Sequence, residues 1–292
     1  MSEISLRDST GDVVTGIKDE DLTAVLKWDN DGKIDSAEGY PRLIPINDKK
    51  KLAFTLTMDY SGSMFDDETG NKNAAKTDKI NAMEKSVKKF IDMMESSMYC
   101  KIIKFGEKVI VTSGYSNSKH FLNQIVDAGS YPMGGTALYS SIYTALSDTI
   151  FSSNPTVMKS VIAFTDGMEN SSHRLTIDSI YRKSNAMNTK IYTIGWFDFT
   201  GKYIPSMDEL NRGKADLLNI ARNSGGFFYR AGDAGDLDKI YSNIFKQILS
   251  SYNVSIVWNS SKLPPKGTQV KAELKINVKG ITRVLYKNYI ME

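Results

Sequence analysis

Three short pieces of the sequence place oxygen ligands where a folded chain can gather them. Asp59-Tyr60-Ser61-Gly62-Ser63 follows the apolar run 52–58. Gly134-Gly135-Thr136 opens an amphipathic stretch, and Thr165-Asp166-Gly167 follows a second apolar run, 161–164. Two carboxylates, Asp59 and Asp166, plus three hydroxyls, Ser61, Ser63 and Thr136, make a hard, all-oxygen donor set. Such a set suits Mg²⁺, with Mn²⁺ or Ca²⁺ as alternatives, rather than Zn²⁺, which prefers His and Cys. The set is too small to complete an octahedron, so waters and one outside group would fill the remainder. Gly134 and Gly135 let the loop carrying Thr136 approach closely. Taken singly, each piece reads better as a turn or a helix cap. The metal reading rests on all three meeting in space.

That meeting depends on the elements around them. Run 52–58 is continuously apolar-rich and 161–164 is fully apolar, as strands buried on both faces are. Residues 76–94 carry Ile80, Met83, Val87, Phe90, Ile91 and Met94 as one helical stripe. Residues 98–105 and 108–112 read as a strand pair around Gly106-Glu107. Helices are expected at 136–151, 177–188, 214–223 and 236–249, and further strands at 190–196 and 227–230. This alternation predicts a doubly wound, Rossmann-like α/β domain over 49–250 with a mostly parallel sheet. Loops after successive parallel strands leave by the same edge, which would bring Asp59 and Asp166 together.

The two ends follow another pattern. Residues 270–278 alternate strictly between apolar and polar, as a strand with one wet face does. Lys279-Gly280 is a turn into 281–286, while 254–258, 4–6 and 22–28 also read as strands. Neither end has enough strands for its own core. Residues 1–48 and 251–292 are therefore expected to combine as a small β-sandwich into which the α/β domain is inserted. The alternative is that each end extends the α/β domain separately.

The order Asp-x-Ser-x-Ser, then Thr, then Thr-Asp-Gly, each at the start or end of the appropriate element, resembles the von Willebrand factor type A domain and its metal-ion-dependent adhesion site. The resemblance covers about residues 50–250, including 217–221 and 225–229 ahead of the last helix. It implies that Ser61, Ser63 and Thr136 are hydroxyl ligands and that Asp59 and Asp166 bind directly or through water. It further implies an open position for an Asp or Glu carboxylate of a partner protein. Such a domain would be a non-enzymatic, cation-dependent adhesion module. The same motif also occurs in intracellular subunits through which AAA+ ATPase machines engage targets, and that alternative stays open.

Other signals are weaker. Tyr60 and Phe65 flank the metal loop, and Trp196, Phe197, Phe199 and Tyr203 follow a strand expected to end on the same edge. They read either as an aromatic ligand rim or as local core beneath the loop. Asp66-Asp67-Glu68 reads as a solvated loop. The stretch 29–38 matches part of an EF-hand Ca²⁺ loop, but Lys27 stands at its first ligand position, and Asn30-Asp31-Gly32 is a strong hairpin signal. The turn is the preferred reading.

Composition narrows the classes. Lys plus Arg is 37 and Asp plus Glu 34, a net charge of +3 that is too weak to argue for nucleic acid. Cys100 is the single cysteine, so no internal disulfide forms, and it is expected to be a buried small hydrophobe. No stretch is apolar enough to span a bilayer, and Met1-Ser2-Glu3-Ile4 lacks the features of a signal peptide. An extracytoplasmic or surface location is expected from the flanking sandwich, with the cytoplasm as the alternative. Enzymatic signatures are missing. The two histidines, His120 and His173, flank no nucleophile. There is no Gly-x-Ser-x-Gly elbow and no phosphate loop. Ser61 stands where an aspartyl phosphatase needs a second carboxylate, so a metal-dependent hydrolase ranks last.

Overall fold

The computed structural model describes residues 2–4, 6–8, 12–45, 51–65, 75–151, 157–197, 205–249 and 252–292. The chain divides into two compact units, Met1–Lys49 with Phe245–Glu292, and Lys50–Ile244. The first unit opens with β1 (Ser2–Ile4), β2 (Leu6–Arg7), β3 (Val13–Val14), β4 (Leu22–Asn30) and β5 (Lys33–Pro45). The α/β stretch then runs β6 (Lys51–Asp59), α1 (Asp78–Met93), β7 (Met98–Phe105), β8 (Val109–Val111), α2 (Lys119–Asp127), α3 (Leu138–Leu146), β9 (Val157–Thr165), α4 (Ile177–Ala186), β10 (Lys190–Trp196), α5 (Met207–Asn223), β11 (Phe228–Ala231) and α6 (Ala234–Leu249). β12 (Tyr252–Trp258), β13 (Gln269–Val278) and β14 (Ile281–Ile290) complete the first unit. Among the described residues, no helix is long and apolar enough to cross a membrane.

The α/β sheet has the order β11-β10-β9-β6-β7-β8 and is parallel except for β8. From β6 the chain moves to β7 on one side and later returns to β9 on the other. β6 and β9 therefore flank the switch point where a doubly wound sheet opens a crevice at its carboxyl edge. Met58 pairs with Phe164, so Asp59 and Thr165 end their strands side by side.

Helices cover both faces. On one, Leu138, Ile142 and Leu146 of α3, Ile180 of α4, and Leu217 and Ile220 of α5 close over Ile103, Phe105, Val161, Ala163 and Ile191. On the other, Phe90 of α1 meets Phe54 of β6 edge-on, with centroids 5.2 Å apart, and Tyr241 of α6 lies 5.8 Å from Phe90. The α1 stripe Ile80, Met83, Val87, Phe90 and Ile91 is fully buried. Burying each such side chain is worth about 1.5–3 kcal/mol before chain entropy is charged against it. This stripe holds α1, and hence its first turn, against the end of β6. Thr77 caps that turn, accepting from the Ile80 amide. Cys100 is buried, and burial pushes its thiol pKa up.

The first unit holds a six-stranded antiparallel sheet, β1-β12-β5-β4-β13-β14, built from both ends of the chain. Val270, Ala272, Leu274, Ile276 and Val278 of β13 all point to one face and are buried, as the alternation predicts. Leu6, Val14 and Ile17, around the short β2–β3 ladder, cover part of that face as a second layer. The hairpin turns have the expected chemistry. Asp31 and Gly32 have φ of 52° and 83°, and Lys279 and Gly280 have 49° and 78°, the left-handed pairs that a two-residue hairpin needs. Residues 33–45 form the longest strand of this sheet, which the sequence does not announce. Gly39 and Pro41 interrupt its pattern, and the Trp258 indole lies so close that a Cβ on Gly39 would come within 2.5 Å of it.

Candidate metal centre

Each component of the donor set is placed by a different element. β6 delivers Asp59 at its last residue, and a single 3-10 turn, Gly62–Phe65, follows it. β9 ends at Thr165 and hands on directly to Asp166. Thr136 precedes α3 in a loop clasped from two sides. The Gly62 amide donates to Gly134 O at 2.7 Å and the Ala137 amide to Gly106 O at 2.7 Å. The Thr136 amide donates to Asn170 Oδ1 at 2.7 Å, and the Asn170 amide returns a bond to Thr136 O at 3.0 Å. Gly134 has φ of 70°, and a Cβ on Gly135 would fall 2.3 Å from Ser171 Oγ. The positive φ favours glycine at 134, and a side chain at 135 would displace the Ser171 hydroxyl and the Asn170 side-chain amide that holds Thr136.

The five side chains converge. Ser61 Oγ lies 3.2 Å from Ser63 Oγ, and Ser63 Oγ donates to Asp166 Oδ1 at 2.7 Å. Asp59 Oδ1 accepts from the Ser61 amide at 2.7 Å, and its Oδ2 accepts from Thr165 Oγ1 at 2.5 Å. A Cβ placed on Gly167 would lie 2.8 Å from Thr136 Oγ1 and 3.5 Å from Ser63 Oγ, which sets the Thr136 hydroxyl beside the other ligands. Asp59 and Asp166 have no exposed surface at all. Burial, and then repulsion from Asp166, push the Asp59 carboxyl up to about 7, against the pull of its hydrogen bonds from Thr165 and Ser61. Two buried carboxylates with hydroxyls aimed among them are what a hard cation relieves, so the residues fit the ion that the sequence implies. Among the described residues, no cluster of three or more His, Cys, Asp and Glu side chains is arranged to hold a metal. In this set the hydroxyls replace the third acid.

The sequence reading missed Lys79. Its ammonium reaches from the first turn of α1 to Asp166 Oδ2 at 2.7 Å, with the side chain only 9% exposed. Thr165 was also overlooked as the hydroxyl that anchors Asp59. Its neighbours in the Thr-Asp-Gly motif were the only signal for it.

The aromatic rim is corrected. Tyr60, Phe65, Trp196 and Phe197 are all buried. Tyr60 turns inward, its hydroxyl donating to Glu84 Oε1 at 2.8 Å while Lys76 pairs with Glu84 Oε2 at 2.6 Å. Burial, followed by the Glu84 charge, raises the Tyr60 pKa. Phe65 packs beside Tyr60 at 6.3 Å, and Phe197 joins the core under α5. Rings this large contribute more beneath the loop than on its lip. Phe199, Tyr203 and Asp66-Asp67-Glu68 lie outside the described residues. The EF-hand-like stretch is a hairpin, in which Asp29 Oδ1 accepts from the Gly32 amide at 2.8 Å and Glu38 pairs with Val25 far along β5.

No protein-family model and no curated protein matches the sequence. Solved structures match it by fold. A von Willebrand factor type A protein from Catenulispora acidiphila aligns with a TM-score of 0.53 and 14% identity, over 95% of this chain and 70% of that one. Proximal thread matrix protein 1 from the mussel byssus, with zinc in its MIDAS motif, aligns with a TM-score of 0.53 and 19% identity over 74% of this chain. This chain covers 50% of the mussel protein's length. A variant of the PilB minor pilin from Streptococcus sanguinis aligns with a TM-score of 0.52 and 13% identity, over 84% of each chain. At these identities the likeness is one of fold, and the α/β unit has the fold of von Willebrand factor type A domains.

Proposed function

We propose that this chain is a divalent-cation-dependent protein-binding module, without enzymatic activity, that grips an acidic group of a protein partner. Asp59, Ser61, Ser63, Thr136 and Asp166 would hold the ion, with Mg²⁺ favoured by the all-oxygen set. The bound ion supplies an electrophilic position for a partner's Asp or Glu carboxylate. The protein's part is positional. Thr165 and the Ser61 amide hold Asp59, Ser63 engages Asp166, and the Asn170 clasp keeps the Thr136 hydroxyl at the crevice. The observation that carries this reading is the convergence of five oxygen-bearing side chains from three separate loops at the β6–β9 switch point.

The fold likeness to a minor pilin and to a byssal matrix protein supports an adhesive or assembly role outside the cytoplasm. The zinc in the mussel protein makes Zn²⁺ one of the ions to titrate. The test is a screen of displayed peptides containing Asp or Glu, performed in Mg²⁺. Binders that are released by EDTA, and that lose affinity when their acid becomes the amide, support the proposal. Enrichment that is equal in EDTA contradicts it.

A further inference from the structure

Lys79 sits where local chemistry disfavours it. The first turn of a helix carries the positive end of the backbone dipole, so a cation there is repelled. Its side chain is nonetheless 9% exposed, and its ammonium is 2.7 Å from the fully buried Asp166. A buried pair of this kind gains little stability over an apolar pair of the same shape, while loss of one partner is severe. The same Asp166 carboxylate takes the Ser63 hydroxyl on its other oxygen, at 2.7 Å. Lys79 therefore belongs to the donor set electrostatically without belonging to it as a ligand.

The charge count gives this a consequence. Asp59 and Asp166 supply two negative charges, and Lys79 returns one positive charge. A divalent ion added to these three groups would leave one surplus positive charge among them, and a single carboxylate from outside would offset it. Without Lys79, the ion alone would neutralise the two acids, and an added carboxylate would leave a surplus negative charge.

Resting on the metal reading above, we propose that Lys79 is a built-in counter-cation that offsets one acid of the donor set, so that a divalent ion and an anionic ligand each raise the protein's affinity for the other. Lys79 weakens the hold on the ion alone and strengthens the hold on a carboxylate once the ion is present. Such coupling is reciprocal by thermodynamic necessity.

The experiment measures Mn²⁺ affinity by calorimetry in sodium acetate and in sodium chloride at equal ionic strength, for the wild type, Lys79→Met and Lys79→Arg. In the wild type, acetate should tighten Mn²⁺ binding by about tenfold or more, the scale expected of one unit charge beside a divalent ion in a partly buried site. Lys79→Met should bind Mn²⁺ about tenfold tighter in chloride and gain little from acetate. Lys79→Arg, which keeps the charge, should retain the acetate effect. Equal Mn²⁺ affinity in acetate and chloride for the wild type overturns the inference, and so does a folded Lys79→Met protein that binds Mn²⁺ no more tightly than the wild type. Should Lys79→Met fail to fold, Lys79→Gln, which removes the charge and keeps a polar tip, takes its place in the same comparison. Failure of the wild type to bind Mn²⁺ in either salt is a different result, which overturns the metal reading itself and reduces the Lys79–Asp166 pair to a fastener between α1 and β9.

Discussion

Replacing Asp59 by Asn should stabilise the metal-free protein, and the effect should grow with pH. Asp59 is fully buried and its carboxyl is pushed from 3.8 to about 7, which corresponds to roughly 4 kcal/mol of penalty once the group is ionised. Because the folded state holds this proton more tightly than the unfolded state, stability falls as pH rises from about 4 to about 7 and levels off above that. Asn removes the charge and can keep the hydrogen bonds. Its oxygen can accept from the Ser61 amide and its amide can donate to Thr165 Oγ1, whose own proton has Gly167 O at 3.3 Å. In urea denaturation with EDTA, Asp59→Asn should exceed the wild type by a margin that widens by about 2–3 kcal/mol between pH 5 and pH 8. The corresponding shift in melting temperature at pH 8 is on the order of 10 °C. Excess Mg²⁺ should stabilise the wild type and leave the variant unmoved. A margin that does not change with pH, or an Asn variant that is the less stable protein at pH 8, would refute the reasoning.

Three further perturbations follow from the same geometry. Asn170→Ala leaves the buried Thr136 amide without its acceptor and should cost about 1–3 kcal/mol in chemical denaturation, with weaker Mn²⁺ binding alongside. Gly167→Ala pushes a methyl to 2.8 Å from Thr136 Oγ1 and should weaken Mn²⁺ binding more than tenfold while costing about 1–3 kcal/mol of stability; unaltered binding would show that Thr136 is not a ligand. Gly39→Ala drives a Cβ into the Trp258 ring and should expose the first unit to limited proteolysis while the α/β core of Lys50–Ile244 resists.

The donor set is legible because chemistry and topology coincide there. Asp59 and Thr165-Asp166 close two apolar-rich strands, and parallel strands release their loops on one edge. The turns at Asp31-Gly32 and Lys279-Gly280 are legible because only a few residue pairs accept two positive φ values. Other features depend on partners distant in sequence. β5 carries Gly39 and Pro41, which read as strand breakers until Trp258, more than two hundred residues away, is seen lying across Gly39. α2 buries only Leu122 and Val126 and leaves Phe121 exposed, too thin a stripe to declare a helix. Tyr60 sits between two ligands, so its position suggested a rim. Its inward turn is set by Glu84, a partner twenty-four residues on. Lys79 was invisible for the opposite reason, since a lysine among the many on α1 gives no sign that it faces Asp166.

The central claim is that Asp59, Ser61, Ser63, Thr136 and Asp166 bind a divalent ion as a unit. The most direct measurement is calorimetric titration of Mg²⁺ and Mn²⁺ into the EDTA-stripped protein and into Asp59→Ala, with circular dichroism recorded on both. The account predicts saturable binding of a single ion by the wild type and none by a variant that keeps its secondary structure. Equal affinity in the two proteins would contradict it.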